Sequence, residues 1–223
     1  MRLVIFDLDD TLIDNTLLDI DSFMHILNLF SLPRINDKTI IRWRRNGMIA
    51  KNIFLRLMKK KDRKLLETCL KTRLQYLARG GGGLGLVKEK KDARKVLCEI
   101  KQDGHFIVIV SSRKDRSIIK KILEKLGVKR YVDSIYCAEN CMDLKERQST
   151  IGLKVRLYRL ALSDYKSLVT EKPIAVGNLK SDIVAAKKLK ITALAIRGSY
   201  RFDSGISKEA KVIEKLDQIL EFL

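Results

Sequence analysis

The stretch Leu3-Val4-Ile5-Phe6-Asp7-Leu8-Asp9-Asp10-Thr11 decides how this chain is read. Four consecutive apolar residues suit a strand covered on both faces, as in a parallel sheet with helices on either side. Three carboxylates in four positions follow directly. Residues of equal parity on an extended segment point to the same side, so Asp7 and Asp9 can share one site. Two carboxylates that close repel each other and tend to gather a hard cation. A loop of helix-capping acids is the plainer alternative, and it does not account for three carboxylates directly behind a buried strand.

Similar apolar runs recur at Phe106–Val110, Val132–Tyr136, Ile174–Val176 and Thr192–Ile196. Helix-like segments lie between them, at Lys114–Leu126, Val155–Leu168 and Ser181–Leu189, and Lys90–Ile100 leads into Phe106. This rhythm predicts an α/β fold, a doubly wound, Rossmann-like parallel sheet. From Asn15 to about Arg79 the pattern is helical only, with Leu17, Ile20, Met24 and Leu27 at helical spacing and Leu66, Leu70, Leu74 and Leu77 repeating it. Gly80-Gly81-Gly82-Gly83 then breaks the chain. The expected division is a core of residues 1–14 and 85–223 with a helical insertion at 15–84.

The chain has 223 residues, 46% of them hydrophobic, with 46 Lys and Arg against 27 Asp and Glu and a formal net charge of +19. Sixteen basic and six acidic residues fall between Asp14 and Lys88, so about half of that charge sits in the insertion. Such a field attracts phosphorylated metabolites or nucleic acid without choosing between them. No apolar run approaches the roughly 18 residues of a membrane span, and the short apolar start followed by acids is unlike a signal peptide. A cytoplasmic protein is expected. Cys137 and Cys141 are four apart, but the two histidines lie elsewhere in the sequence, so thiols rather than a zinc site or a disulfide are expected.

In an open parallel sheet, ligands gather beyond the carboxyl ends of the strands. Ser111-Ser112-Arg113 follows the second run, and a hydroxyl there can donate to a phosphoryl oxygen. Gly177-Asn178-Leu179-Lys180-Ser181-Asp182 follows the fourth, offering an oxygen ligand from Asn178 and a carboxylate from Asp182. Lys154, ahead of the fourth run, is the candidate cation, with Lys145, Arg147, Arg156 and Arg159 as neighbours that could serve instead.

These residues resemble the haloacid dehalogenase-like superfamily, and the position of the insertion resembles the α-helical cap of its phosphoglycolate phosphatase-like branch. Asp7, Asp9 and Thr11 match an Asp-x-Asp-x-Thr motif, Ser111 the hydroxyl after the second strand, Lys154 the upstream lysine. Gly177, Asn178 and Asp182 match a Gly-Asp-x-x-x-Asp motif, with Asn178 standing where Asp is usual. The resemblance implies a Mg²⁺-dependent phosphatase acting on a small phosphorylated metabolite such as phosphoglycolate, a sugar phosphate or a nucleotide. It implies Asp7 as nucleophile and Asp9 as acid and base. Asp7, the Asp9 carbonyl and Asn178 would hold the metal, Ser111, Ser112 and Lys154 the phosphate, and Asp182 and Thr11 would support them. Having Asp9 favours phosphoryl transfer over dehalogenation. A phosphomutase of the β-phosphoglucomutase type and a non-catalytic nucleic-acid-binding relative are the alternatives. In the insertion, Trp43, Arg44 and Arg45 are candidate specificity residues. The Asp14-Asn15 junction and Gly80–Gly83 are candidate hinges. Oligomeric state is not legible.

Overall fold

The computed structural model describes residues 1–58, 62–78, 83–141, 149–197, 206 and 210–223. Its main sheet has six strands: β1 (Leu3–Phe6), β4 (Phe106–Val110), β5 (Ser134–Tyr136), β6 (Ile174–Gly177), β7 (Thr192–Ile196) and β8 (Lys211–Ile213). All pairings are parallel and the order is β5-β4-β1-β6-β7-β8. From β1 the chain builds outward to β4 and β5, then returns to the other side of β1 for β6. Strand order therefore reverses between β1 and β6, where such sheets open a crevice for ligands.

Alternation along the strands feeds two cores. Val4, Phe6, Ile107, Ile109, Ile174 and Val176 point to one face, covered by α5 (Ala93–Gln102) and α6 (Arg116–Lys125). Leu3, Ile5, Val108, Val110 and Ala175 point to the other, covered by α7 (Thr150–Asp164) and α8 (Lys180–Lys188). The expected doubly wound fold is what forms. Helix α7 starts earlier than the predicted Val155, because Ser149 caps it by accepting from the Gly152 N–H at 3.1 Å. That places Lys154 inside the helix. The edge strand β8 is absent from the sequence reading.

The segment after β1 forms α1 (Thr16–Leu29), α2 (Asp37–Arg45), α3 (Ala50–Leu57) and α4 (Arg63–Ala78). These helices build a core of their own from Phe23, Ile26, Leu27, Ile40, Ile53, Phe54, Leu66 and Cys69, with the Phe23 and Phe54 rings 5.4 Å apart. A two-stranded antiparallel hairpin, β2 (Ile13–Asp14) with β3 (Lys88–Glu89), pairs the chain entering the insertion with the chain leaving it. Two-residue strands carry no periodicity, so the sequence did not announce them. Gly80 to Gly82 of the glycine run lie outside the described residues. Among the described residues no helix is long and apolar enough to cross a membrane, and Cys69, Cys98, Cys137 and Cys141 are free thiols.

Inside the insertion, Asp19 accepts from Arg44 Nε at 2.9 Å and also pairs with Arg73, all three side chains being buried. Both guanidiniums lie over the Phe23 ring, Arg73 at 4.2 Å and Arg44 at 5.9 Å. Arg44 thus holds the helices together. Arg44→Met is expected to destabilise the protein by about 2 kcal/mol, since it weakens a buried charge network while leaving Asp19 its second partner. Denaturant unfolding measures this, and a change below about 0.5 kcal/mol, as for a surface site, would contradict it.

Candidate active site

Three neighbouring strand tips converge on one ammonium group. Lys154 Nζ lies 2.6 Å from Asp7 Oδ1, 2.8 Å from Asp182 Oδ1 and donates to the Val110 carbonyl at 2.8 Å. Asp7 is held at the crevice by its own N–H, which donates to the Val176 carbonyl across the β1–β6 seam at 2.9 Å. Asp7, Lys154 and Asp182 are all buried. Arg156 is partly buried and Arg159 exposed, and Lys145 and Arg147 lie outside the described residues; among the described candidate cations, Lys154 is the one in contact with the acids.

Burial pushes the Asp7 carboxyl up to about 7; Lys154 opposes this, while Asp182 and Asp9 reinforce it. Burial also works against the Lys154 charge, but Asp182 and Asp7 outweigh it and hold its pKa above the ordinary lysine value. Tyr158, one turn along α7, is fully buried beside this group, and burial together with Asp182 keeps its hydroxyl protonated.

Asp182 has two tasks. Its Oδ1 meets Lys154, and its Oδ2 accepts from the Leu179 N–H at 3.2 Å, capping α8. Gly177 makes this possible. A Cβ there would lie 2.4 Å from the Asp182 Cβ and 2.6 Å from its Oδ2. The glycine serves close approach; its φ is not positive. Asn178 is buried beside it.

Asp10 adopts a left-handed conformation, φ 63°, as the chain turns back after Asp9, with Asp10 N–H donating to the Ile13 carbonyl at 2.8 Å. Thr11 Oγ1 reaches Asp7 Oδ2 at 3.4 Å. Ser111 is buried, and its Oγ accepts from the Arg113 N–H at 3.2 Å. Ser112 is exposed and lies on the wall of a cavity of about 770 Å³ between the sheet tips and the insertion. Asp9 opens into that cavity, as do Asn15, Leu18, Lys71, Leu74 and Gln75 from the insertion side and Arg113 and Lys114 from the core.

Asp9 is itself engaged. Arg113 donates to it through Nη2 at 2.7 Å and Nε at 3.1 Å, and the Asn15 amide donates to it too. Arg113 follows Ser111-Ser112, and nothing in the sequence marks it as the partner of Asp9, 104 residues away.

Trp43, Arg44 and Arg45 are not among the residues lining the cavity. Arg44 faces the insertion's interior, Trp43 is partly buried under the Arg56 guanidinium at 5.0 Å, and Arg45 is exposed. Helix α4 lines the cavity instead. Leu74, read as part of an apolar face, is 64% exposed there.

A family model described as haloacid dehalogenase-like hydrolase matches residues 4–196. The chain belongs to that family. A pyrophosphatase named PpaX from Caldanaerobacter subterraneus subsp. tengcongensis (strain DSM 15242 / JCM 11007 / NBRC 100824 / MB4) is 26% identical over 222 residues, 99% of this chain and 93% of that protein. A solved phosphatase structure from Clostridium difficile is similar with a TM-score of 0.77 at 22% identity, covering 100% of this chain and 98% of the other. One described as a β-phosphoglucomutase, from Thermotoga maritima, has a TM-score of 0.67 at 19% identity, with 100% and 98% covered. These structures share the fold.

Gly177→Ala forces the added methyl into Asp182. The expected result is a stability loss of about 1–3 kcal/mol, read as a lower Tm, together with a collapse of any Asp7-dependent activity. A variant with the wild-type Tm would contradict this geometry.

Proposed function

We propose that this protein is a Mg²⁺-dependent phosphatase that hydrolyses a small phosphorylated metabolite through an aspartyl-phosphate on Asp7. The observation that carries this reading is the buried contact between Lys154 Nζ and Asp7 Oδ1, 2.6 Å, at the seam where strand order reverses. A structural ion pair has no need to sit at the crevice with a second carboxylate, Asp9, opening into a cavity of about 770 Å³. The names of the relatives support phosphoryl chemistry, and the free thiols support a reducing, cytoplasmic compartment.

The donor set fits a hard divalent cation. Asp7 is a buried carboxylate under repulsion from Asp182 and Asp9, and Asn178, which follows the neighbouring strand β6, adds a buried amide oxygen. Asp7, the Asp9 carbonyl and Asn178 would hold Mg²⁺, an ion satisfied by few protein oxygens. When bound it supplies positive charge against the repulsion between Asp7 and an anionic phosphoryl group.

Lys154 fixes the Asp7 carboxylate and, with Ser111, faces the phosphoryl oxygens with positive charge and a hydroxyl donor. The Asp7 oxygen forms a bond to phosphorus as the bond to the leaving oxygen breaks, and Asp9 gives that oxygen a proton. Asp9 then takes a proton from the water that attacks the phosphoaspartate, releasing inorganic phosphate and restoring Asp7. Asp182 keeps Lys154 in position. Residues 15–84 act as a cap, with α4 and the start of α1 facing the substrate and the cavity excluding water during chemistry.

With p-nitrophenyl phosphate, Mg²⁺-dependent release of nitrophenol is expected, abolished by chelation and restored by added Mg²⁺. Asp7→Asn is expected to lower it roughly 10³-fold or more. Variant activity equal to wild type would overturn the assignment. Asn178→Asp restores a carboxylate to the metal side of the site. It is expected to lower several-fold the Mg²⁺ concentration needed for half-maximal activity, and an unchanged or higher requirement would remove Asn178 from the ligands.

A further inference from the structure

A carboxylate gripped by two N–H groups of one guanidinium is an acceptor only and carries no proton for a leaving group. Asp9 is in that state, held by Arg113 through both Nη2 and Nε. The pair must open before Asp9 can act. Opening it strands the Arg113 guanidinium, whose side chain is 17% exposed, and a largely buried cation without a counter-charge is costly. A second anion delivered with the substrate removes that cost.

The surroundings favour such an exchange. Arg113 lines the cavity between core and insertion, with Lys114 beside it and Lys71 contributed by α4. Three cations therefore face the space a leaving group would occupy. The phosphoryl group in transfer has its own cation in Lys154, below the cavity at the strand tips. Arg113, Lys114 and Lys71 are thus additional to the cation that contacts Asp7. The wall also carries Asp115, which caps α6 by accepting from the Ser117 N–H, and Asp19, whose charge is met by Arg44 and Arg73 inside the insertion.

We propose that Arg113 is a specificity-determining residue that trades Asp9 for a second anionic group on the leaving portion of the substrate. The favoured substrates carry a carboxylate or a further phosphate a few bonds from the phosphoryl group that is removed. The exchange couples recognition to chemistry, because the anion that satisfies Arg113 is also what releases Asp9. The coupling rests on the phosphatase reading, in which Asp9 is the acid; the recognition of a second anion does not.

Three probe ligands separate these points. Ethyl phosphate has a neutral leaving group, 2-phosphoglycolate a carboxylate, and inorganic pyrophosphate a phosphate. Calorimetry on Asp7→Asn protein with Mg²⁺ measures binding without turnover. At least one of the two probes with a second anionic group is expected to bind about tenfold or more tightly than ethyl phosphate, and the better of the two identifies the anion. Adding Arg113→Met is expected to erase the preference, and Arg113→Lys to keep part of it, since the charge stays and the bidentate fork is lost. Equal affinity for the three probes, no binding of any, or a preference that survives Arg113→Met overturns the proposal. In the Asp7-containing enzyme, Arg113→Met is expected to lower kcat/KM for the preferred anionic substrate and raise kcat for ethyl phosphate, since Asp9 then keeps only the neutral Asn15 amide and no guanidinium. A parallel fall on all three substrates would mark a structural role and overturn it. Loss of Asp7-dependent turnover altogether would sink the phosphatase reading, and the binding ratio would still decide the role of Arg113.

Discussion

One buried ammonium, Lys154, ties together three segments that are distant in sequence. It meets the carboxylate after β1, the last carbonyl of β4 and the carboxylate in the first turn of α8. The strand order β4-β1-β6 sets these tips side by side. Buried carboxylates keep their charge only with such a partner, and an ammonium survives burial only with such acids around it. The missing Cβ of Gly177 gives Asp182 the room to take part. Remove the lysine and two buried carboxylates face each other with their shared cation gone.

The charges divide by depth. Beneath the cavity, Asp7 and Asp182 outnumber Lys154, a balance suited to one further cation. At the cavity wall, Arg113, Lys114 and Lys71 face Asp9, Asp19 and Asp115; Asp19 is already met by Arg44 and Arg73 inside the insertion, which leaves a balance suited to an anion. A phosphorylated ligand bridging the two levels satisfies both. Asn15 and Arg113 grip Asp9 from opposite sides of the junction between insertion and core. Asn15 lies one residue beyond the β2–β3 hairpin through which the chain enters and leaves the insertion. The acid is thereby in contact with the part of the chain where a change in the insertion's position would first be felt.

Much of this was legible in the sequence. The run Leu3–Phe6 followed by Asp7 read correctly because a buried parallel strand needs continuous apolar residues and a charged residue ends it. Phe106–Val110 and Thr192–Ile196 read for the same reason, with bounds that match the strands observed. The family resemblance pointed to Lys154, a lysine that is buried against Asp7. What did not read was of two kinds. Very short strands, β2, β3 and β8, lack the length for a period. Side chains whose partners are remote also stayed hidden: Arg44 read as a candidate specificity residue because its partner Asp19 is 25 positions away, and Arg113 carried no role because Asp9 is 104 away. Leu74 kept a helical period with its neighbours, yet faces the cavity, since periodicity reports a face and not what covers it.

The central claim is that Asp7 is the atom donor to phosphorus. Quenching the enzyme during steady-state turnover and reducing it with borohydride converts a phosphorylated aspartate to homoserine, which peptide mass spectrometry locates. Conversion at Asp7 alone, dependent on substrate and on Mg²⁺, is the expected result. Turnover with no converted residue, or conversion at Asp9 or Asp182 in place of Asp7, would contradict the account.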